Sequence, residues 1–205
     1  MAAYEIKNGV GIIPEGTTDI VISAFLGCTE LTSVNIPSSV TNIGNCAFAD
    51  CTGLTHVTIP SSVTSINYCT FDGCTALTSI ELPDSITEIR QSAFKNCEGL
   101  TSINIPSSVK KIDVMAFRAC GGLKSVNIPS SVKTIGAEAF NWCDNLEELT
   151  LGTGINKIAK DAFNNCDKLS KINVPATKSE YYKMRLPEKL HKFIVEMAPQ
   201  KKAKK

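Results

Sequence analysis

Residues 100–122 read LTSINIPSSVKKIDVMAFRACGG, and the landmark residues of this stretch return every 23 positions in both directions. Proline keeps the step at Pro14, Pro37, Pro60, Pro83, Pro106, Pro129 and Pro175, with Gly152 alone out of pattern. Phe25, Phe48, Phe71, Phe94, Phe117, Phe140 and Phe163 keep it, and so do seven cysteines from Cys28 to Cys166 and seven leucines from Leu31 to Leu169. Self-similarity at a fixed period of this size is the sequence signature of a solenoid, in which each coil buries its apolar side only by stacking on its neighbours.

Within the quoted unit, Leu100-x-x-Ile103-x-Ile105 predicts a short strand: Ile103 and Ile105 point one way, Ser102 and Asn104 the other. Pro106 has no N–H to give a ladder and holds the residue before it extended, so it stops every strand at the same place. Ser107-Ser108 turns the chain, and Val109 and Ile112 bring it back inward. Ala116, Phe117 and Cys120 are expected on the opposite side in a loop or single helical turn. Leu100, Ile103, Ile105, Val109, Ile112, Ala116, Phe117 and Cys120 are therefore the predicted core of each coil. With parallel strands about 4.8 Å apart, seven coils predict a rod of about 35 Å plus caps.

The pattern Leu-x-x-Ile-x-Ile-Pro-x-x-Val-x-x-Ile followed by Ala-Phe-x-x-Cys resembles the BspA-like leucine-rich repeat, over residues 10–175. The resemblance implies an α/β repeat fold with short parallel strands on a concave face and loops or single helical turns on the convex face. It also implies no catalytic residues and a role in interaction or adhesion, in a family largely of surface proteins.

The ends differ from the repeat. Tyr4–Lys7 and Val10–Ile13 flank Asn8-Gly9, a pair suited to a two-residue hairpin turn, so residues 1–13 are read as an N-terminal cap ahead of a solenoid over 14–175. After Val174 the composition changes. Thr177 with Glu180 suggests a capping box, Tyr181 and Leu186 can face the array, and Pro187-Glu188 can open a second helix through Leu190, Phe193, Ile194 and Met197. Residues 176–198 are thus expected as a helical cap, and the basic run 199–205 as a disordered tail.

Charge is graded although the net is only +1. Residues 1–88 hold nine acids and one base, Lys7; residues 89–175 hold eight acids and eleven bases; residues 176–205 hold three and nine. A monomer is expected, with weak head-to-tail contact between acidic and basic ends as the alternative. No run of about 18 apolar residues offers a membrane span. The start MAAYEIKNGV lacks the basic and apolar regions of a secretory signal, which predicts a cytoplasmic protein as the chain stands, whereas the family resemblance implies a secreted or cell-surface one.

Nine cysteines at repeat spacing in a chain of 205 residues read as reduced, mostly buried thiols rather than a disulfide framework. Cys46-x4-Cys51 with Cys69-x4-Cys74 superficially offers four thiolates to zinc. The repeat already accounts for Cys51 and Cys74, while Cys46 and Cys69 share a position with Ser23, Ser92, Met115, Glu138 and Asp161. No metal or other cofactor is expected, and a Cys46–Cys69 disulfide is the lesser alternative to free thiols. His56 and His191 have no nucleophile and carboxylate at a catalytic spacing, and Gly152-Thr153-Gly154 lacks the rest of a phosphate loop, so no enzyme is predicted; a cysteine-dependent one is the remote alternative. Binding of nucleic acid or an anionic surface would rest on Lys183, Lys189, Lys192 and the terminal lysines, which lack interleaved aromatics.

What remains is the outward side of the strands: Ser33 and Asn35, His56 and Thr58, Ser79 and Glu81, Ser102 and Asn104, Ser125 and Asn127, Glu148 and Thr150, Lys171 and Asn173. A protein or glycan partner is expected there, with His56, Glu81, Lys124, Glu147 and Glu148 breaking the Ser/Thr/Asn monotony and therefore carrying specificity. The plain structural reading is a hydrated face that keeps a sheet in solution, since Trp, Tyr and Arg, the usual anchors, are missing from it.

Overall fold

The structure is a computed structural model and describes residues 4–198. Each 23-residue coil touches its neighbours along three lines. The first is a face sheet built from the Leu-x-x-Ile-x-Ile segments. Val10–Ile12, Ser33–Asn35 and His56–Thr58 pair in parallel at one end, and Ser125–Ile128, Glu148–Leu151 and Lys171–Pro175 at the other. Between them the ladder thins to a single Thr58–Glu81 bridge. The quoted segment itself, 102–105, keeps the predicted alternation, with Ile103 and Ile105 buried and Ser102 and Asn104 exposed, but joins no strand pair, contrary to expectation.

The second line carries continuity where the first lapses. Two-residue strands at the Val-x-x-Ile positions, from Ser65–Ile66 through Glu88–Ile89, Lys111–Ile112 and Thr134–Ile135 to Lys157–Ile158, form an unbroken parallel ladder. The sequence pattern assigns these residues only an inward return. Asp19–Ile20 pairs with Asn42–Ile43, and the one break, between Ile43 and Ile66, is closed by a side chain: Asn67 Nδ2 donates to the Ile43 carbonyl at 2.7 Å. In other coils a backbone N–H makes that bond, as Gly44 does to Ile20 and Arg90 to Ile66.

The third line is the turn side, where, of the loop or single helical turn expected, the chain takes the loop. In six coils two residues take left-handed backbone angles, and in the last coil one does. The first lies two residues before Phe (Ser23, Cys46, Cys69, Ser92, Met115, Glu138; φ 51–56°) and the second directly precedes Cys (among them Asp50, Asn96, Ala119 and Asn165; φ 54–58°). A left-handed residue every fourth position forbids a right-handed helix and makes a chain of tight turns instead. Those turns free alternate N–H groups to reach the next coil: Phe94 N–H donates to Ala116 O and Phe117 N–H to Ala139 O, both at 2.8 Å. The turn backbone is thereby paired both within its coil and with the next one.

All eight predicted inward positions of the quoted coil are buried. The phenylalanines stack nearly face to face, with centroids 5.1–5.5 Å apart and planes within 11°. Hydrogen-bonded strands lie about 4.8 Å apart, so equivalent points are spaced more widely at the rings and the paired strands sit on the inner side of the bend. Tyr4 extends the stack at one end, 5.3 Å from Phe25.

At the start, Glu5–Lys7 and Val10–Ile12 form the expected hairpin with Asn8 (φ 50°) and Gly9 (φ 79°) in its turn. Its second strand is itself the first rung of the face sheet. The C-terminal segment departs from expectation. A 3-10 turn, Ala176–Lys178, runs directly into a short α-helix, Ser179–Lys183, so Thr177 lies inside helical backbone and makes no capping bond. Tyr181 packs half-buried against the core, and Tyr182 beside it is fully buried, its hydroxyl donating to the Gly152 carbonyl. The second predicted helix stops as a 3-10 segment at Phe193; Ile194–Met197 is a strand paired in parallel with Lys171–Pro175. An otherwise open sheet edge and two adjacent β-branched residues, Ile194 and Val195, outweigh the helical pattern. The basic run 199–205 lies outside the described residues.

Candidate functional site

The face sheet aligns its outward residues into two rows because parallel pairing keeps equivalent positions opposite one another. Ser33 faces His56 and Asn35 faces Thr58; further along, Ser125, Glu148 and Lys171 form one row and Asn127 and Thr150 the other, while Asn173, expected to be exposed at the end of that row, is buried with its amide on Glu148 and Thr150. Of the residues predicted for the site, His56, Thr58, Ser79, Glu81, Ser102, Asn104, Ser125 and Asn127 are exposed on these rows. Lys124 and Glu147 are exposed one position earlier, at the margin, where Glu147 N–H donates to the Lys124 carbonyl at 2.8 Å. The same marginal position in other coils holds threonines that fasten the coils, as Thr55 Oγ1 does to Thr32 O at 3.1 Å.

Glu148 is half-buried and already engaged. Lys171 Nζ donates to its Oε1 at 2.8 Å and Asn173 Nδ2 to the same oxygen at 2.6 Å. The Lys171 bond, with help from Asn173, holds this carboxyl below its usual range. Glu81 has no such partner among the described residues, and His56 Nε2 lies 3.4 Å from Thr58 Oγ1. Charge on this face is thus concentrated at a few separated points.

Sequence reading missed the apolar ends of the face. Val10 and Ile12 stand outward beside Ser33 and Asn35, and Val195 stands outward at the far end. The available signal was Gly11: it occupies the inward position, where a Cβ would come within 2.9 Å of Leu31 Cδ1, so its neighbours must face out. The C-terminal end of the face adjoins a concavity of about 710 Å³ floored by Gly152 and bordered by Asn127, Thr150, Thr153 and Met197.

Six of the cysteines serve as hydrogen-bond donors inside the solenoid. Cys51, Cys74, Cys97, Cys120, Cys143 and Cys166 each donate Sγ–H to the phenylalanine carbonyl 26 residues earlier, at 3.0–3.3 Å. Burial pushes the Cys51 thiol up to about 12 and that of Cys97 well above its ordinary value, the reverse of nucleophile activation. Among the described residues no three Cys, His, Asp or Glu side chains gather in a way that could hold a metal ion. His191, in the C-terminal 3-10 segment, meets the Leu186 carbonyl, and Lys183 is paired with Glu180.

The family model described as BspA type Leucine rich repeat region matches in six copies, over residues 7–124 and 115–186. The chain belongs to the BspA-type leucine-rich repeat family. Among solved structures, a leucine-rich repeat protein of T. pallidum is similar to this BspA-type chain at 32% identity and a TM-score of 0.72, covering 89% of this chain and 80% of that one. A leucine-rich cell surface protein from Faecalibacterium prausnitzii A2-165 is similar at 29% identity and a TM-score of 0.62 over 82% of this chain, which spans about half (54%) of that protein. A leucine-rich repeat protein from Eubacterium ventriosum gives 30% identity and a TM-score of 0.59, over 63% of this chain and 35% of that one. No curated protein sequence matches this BspA-type chain significantly. Among its described residues no helix is long and apolar enough to cross a membrane.

Proposed function

We propose that this BspA-type solenoid is a non-enzymatic interaction or adhesion scaffold that docks a protein or glycan across its strand face as a monomer. The observation that carries the reading is the in-register double row of exposed short polar side chains, which offers many small contacts over successive coils and no single anchor. Family membership supports an interaction role, and the similarity to a cell surface protein supports work outside the cell. His56, Glu81, Lys124 and Glu147 supply what charge selectivity the face has.

The test is Ser102→Arg combined with Ser125→Arg. Both positions face solvent, so the unfolding midpoint should stay put while two long cationic side chains block the middle of the face. A partner captured by the wild-type chain should be lost from the double variant. If the partner is retained and is lost instead on truncation after Ala198, the basic C-terminal run is the binding element and the strand-face reading is wrong.

A further inference from the structure

A second candidate site lies away from the strand face, on the turn side, and rests on two departures from the repeat. The first is Trp142. Its position, directly before the cysteine that recurs in each coil, holds Gly27, Asp50, Gly73, Asn96, Ala119 and Asn165 in the other coils, all with positive φ. Glycine, asparagine and aspartate tolerate a left-handed backbone and alanine is at least small; a bulky aromatic does not belong there. Trp142 nevertheless adopts φ 61° and leaves 48% of its surface exposed, so it contributes little to the core in return. Strain kept for an exposed side chain points to a use outside the fold.

The second departure is Gly121. Coil by coil its position carries Thr29, Thr52, Thr75, Glu98, Gly121, Asp144 and Asp167. A Cβ on Gly122 would come within 2.6 Å of the Glu98 carbonyl, whereas a Cβ on Gly121 would meet open space, and the Gly121 backbone lies outside the left-handed region. Nothing in the backbone requires glycine. What the missing side chain does is open a groove of about 590 Å³ between Glu98 and Asp144, with Trp142 and Arg118 on its walls.

The lining selects the guest. Glu98 and Asp144 are exposed and form no ion pair among the described residues. Arg118 uses Nε on Glu138 Oε2 at 2.9 Å, which leaves its other N–H groups for the groove. Asn145 is held rigid, donating to the Gly121 carbonyl and accepting from Lys168 Nζ, both at 2.6 Å. The two unpaired carboxylates repel an anionic guest, and the Arg118 N–H groups not used on Glu138 need an acceptor, which an ammonium guest does not bring. A neutral polyhydroxyl ring satisfies both, donating to the carboxylates, accepting from the guanidinium, and laying its C–H face on the indole. The groove is open to solvent, so a guest lies along it on the indole rather than being enclosed. We propose that this groove is a binding subsite for a neutral sugar residue of a glycan, separate from the strand face.

The experiment uses a glycan array of neutral oligosaccharides, followed by titration of the strongest one against the fluorescence of Trp142, the single tryptophan of the chain. Saturable binding is expected, unchanged between about 0.05 and 0.5 M salt because no net charge is exchanged. Gly121→Thr, which restores the side chain of three other coils, should weaken binding at least about tenfold and leave the unfolding midpoint unchanged. Trp142→Asn, followed by calorimetry, should do the same while relieving the backbone. Ser102→Arg with Ser125→Arg should leave this binding intact, so the two sites fail separately. The proposal is overturned if the wild-type chain retains no neutral glycan, if both groove variants bind as well as wild type, or if the groove instead takes a lysine- or arginine-containing peptide with strong salt dependence.

Discussion

Cys97 Sγ donates to the Phe71 carbonyl at 3.1 Å, and the same carbonyl accepts the N–H of Cys74 at 3.3 Å. One acceptor in each coil thus closes its own turn and fastens the coil that follows. The thiol is small enough for the site and is a weak donor, so cysteine fits where alanine would leave the second lone pair idle. In the native protein few of the nine thiols should react with a disulfide reagent at neutral pH, and all nine should react once urea unfolds the chain. Several zinc- or disulfide-linked cysteines in the native mass would contradict this.

The same thiols make stability fall in alkali. An unfolded thiol ionises near its ordinary value of 9.0, whereas burial raises Cys51 to about 12 and Cys97 well beyond its normal range. Above pH 9 the unfolded chain releases protons that the folded chain keeps, so the contribution is complete below that value and declines as pH rises toward the folded values. Urea midpoints measured from pH 7 to pH 11 should be flat at first and then drop; a rise would refute the linkage.

Phe117 lies 5.3 Å from Phe94 and 5.1 Å from Phe140. Phe117→Ala should therefore cost about 3–5 kcal/mol, since the cavity opens between two coils at once. Ser125→Ala, on the exposed face, should cost less than about 0.5 kcal/mol. Equal midpoints for the two variants in urea would show the stack to be energetically idle.

Gly152 breaks the proline pattern for a structural reason. Its N–H donates to Ile128 O at 2.9 Å, a Cβ there would come within 2.5 Å of Ser130 N, and its carbonyl receives the Tyr182 hydroxyl. Gly152→Pro, although it restores the repeat, should destabilise by at least about 2 kcal/mol. Tyr182→Phe should cost about 1 kcal/mol. A more stable Gly152→Pro protein, read by thermal unfolding, would overturn this account.

Lys171→Met should let the Glu148 carboxyl titrate closer to its ordinary range, because the bond from Lys171 is the main cause of its depression. Carbon-detected NMR of that carboxyl reads the change directly. The unfolding midpoint should hardly move, as both side chains keep much of their surface in water.

The core and the face were legible in the sequence because burial repeats with the residue types themselves: Leu123, Val126, Ile128, Val132 and Ile135 lie where their equivalents from Leu100 to Ile112 do. The turns were not. Ser23, Cys46, Met115 and Glu138 share a left-handed backbone without sharing any chemistry that announces it, so Ala-x-x-x-Cys spacing passed for a helical turn. The two-residue ladder through Lys111–Ile112 is too short to leave an alternation. Ile194–Met197 carried a helical pattern that an unpaired sheet edge overrode. Trp142 was visible as a misfit in an aligned column of Gly, Asp, Asn and Ala, but only the backbone angle at that column explains why it is one.

Outside the paired strands, strand-side hydrogen bonds run from a coil back to the one before, as Thr55 N–H does to Thr32 O, while turn-side bonds run forward, as Phe48 N–H does to Thr70 O. Pulled by its two ends, such a molecule behaves as a ratchet of equal teeth. Each coil is fastened by both rows and all coils bear the same tension, so extension should proceed by quantised slips of one 23-residue repeat as single coils give way, each releasing about 75–80 Å of chain. A tether made this way lengthens under load long before it parts.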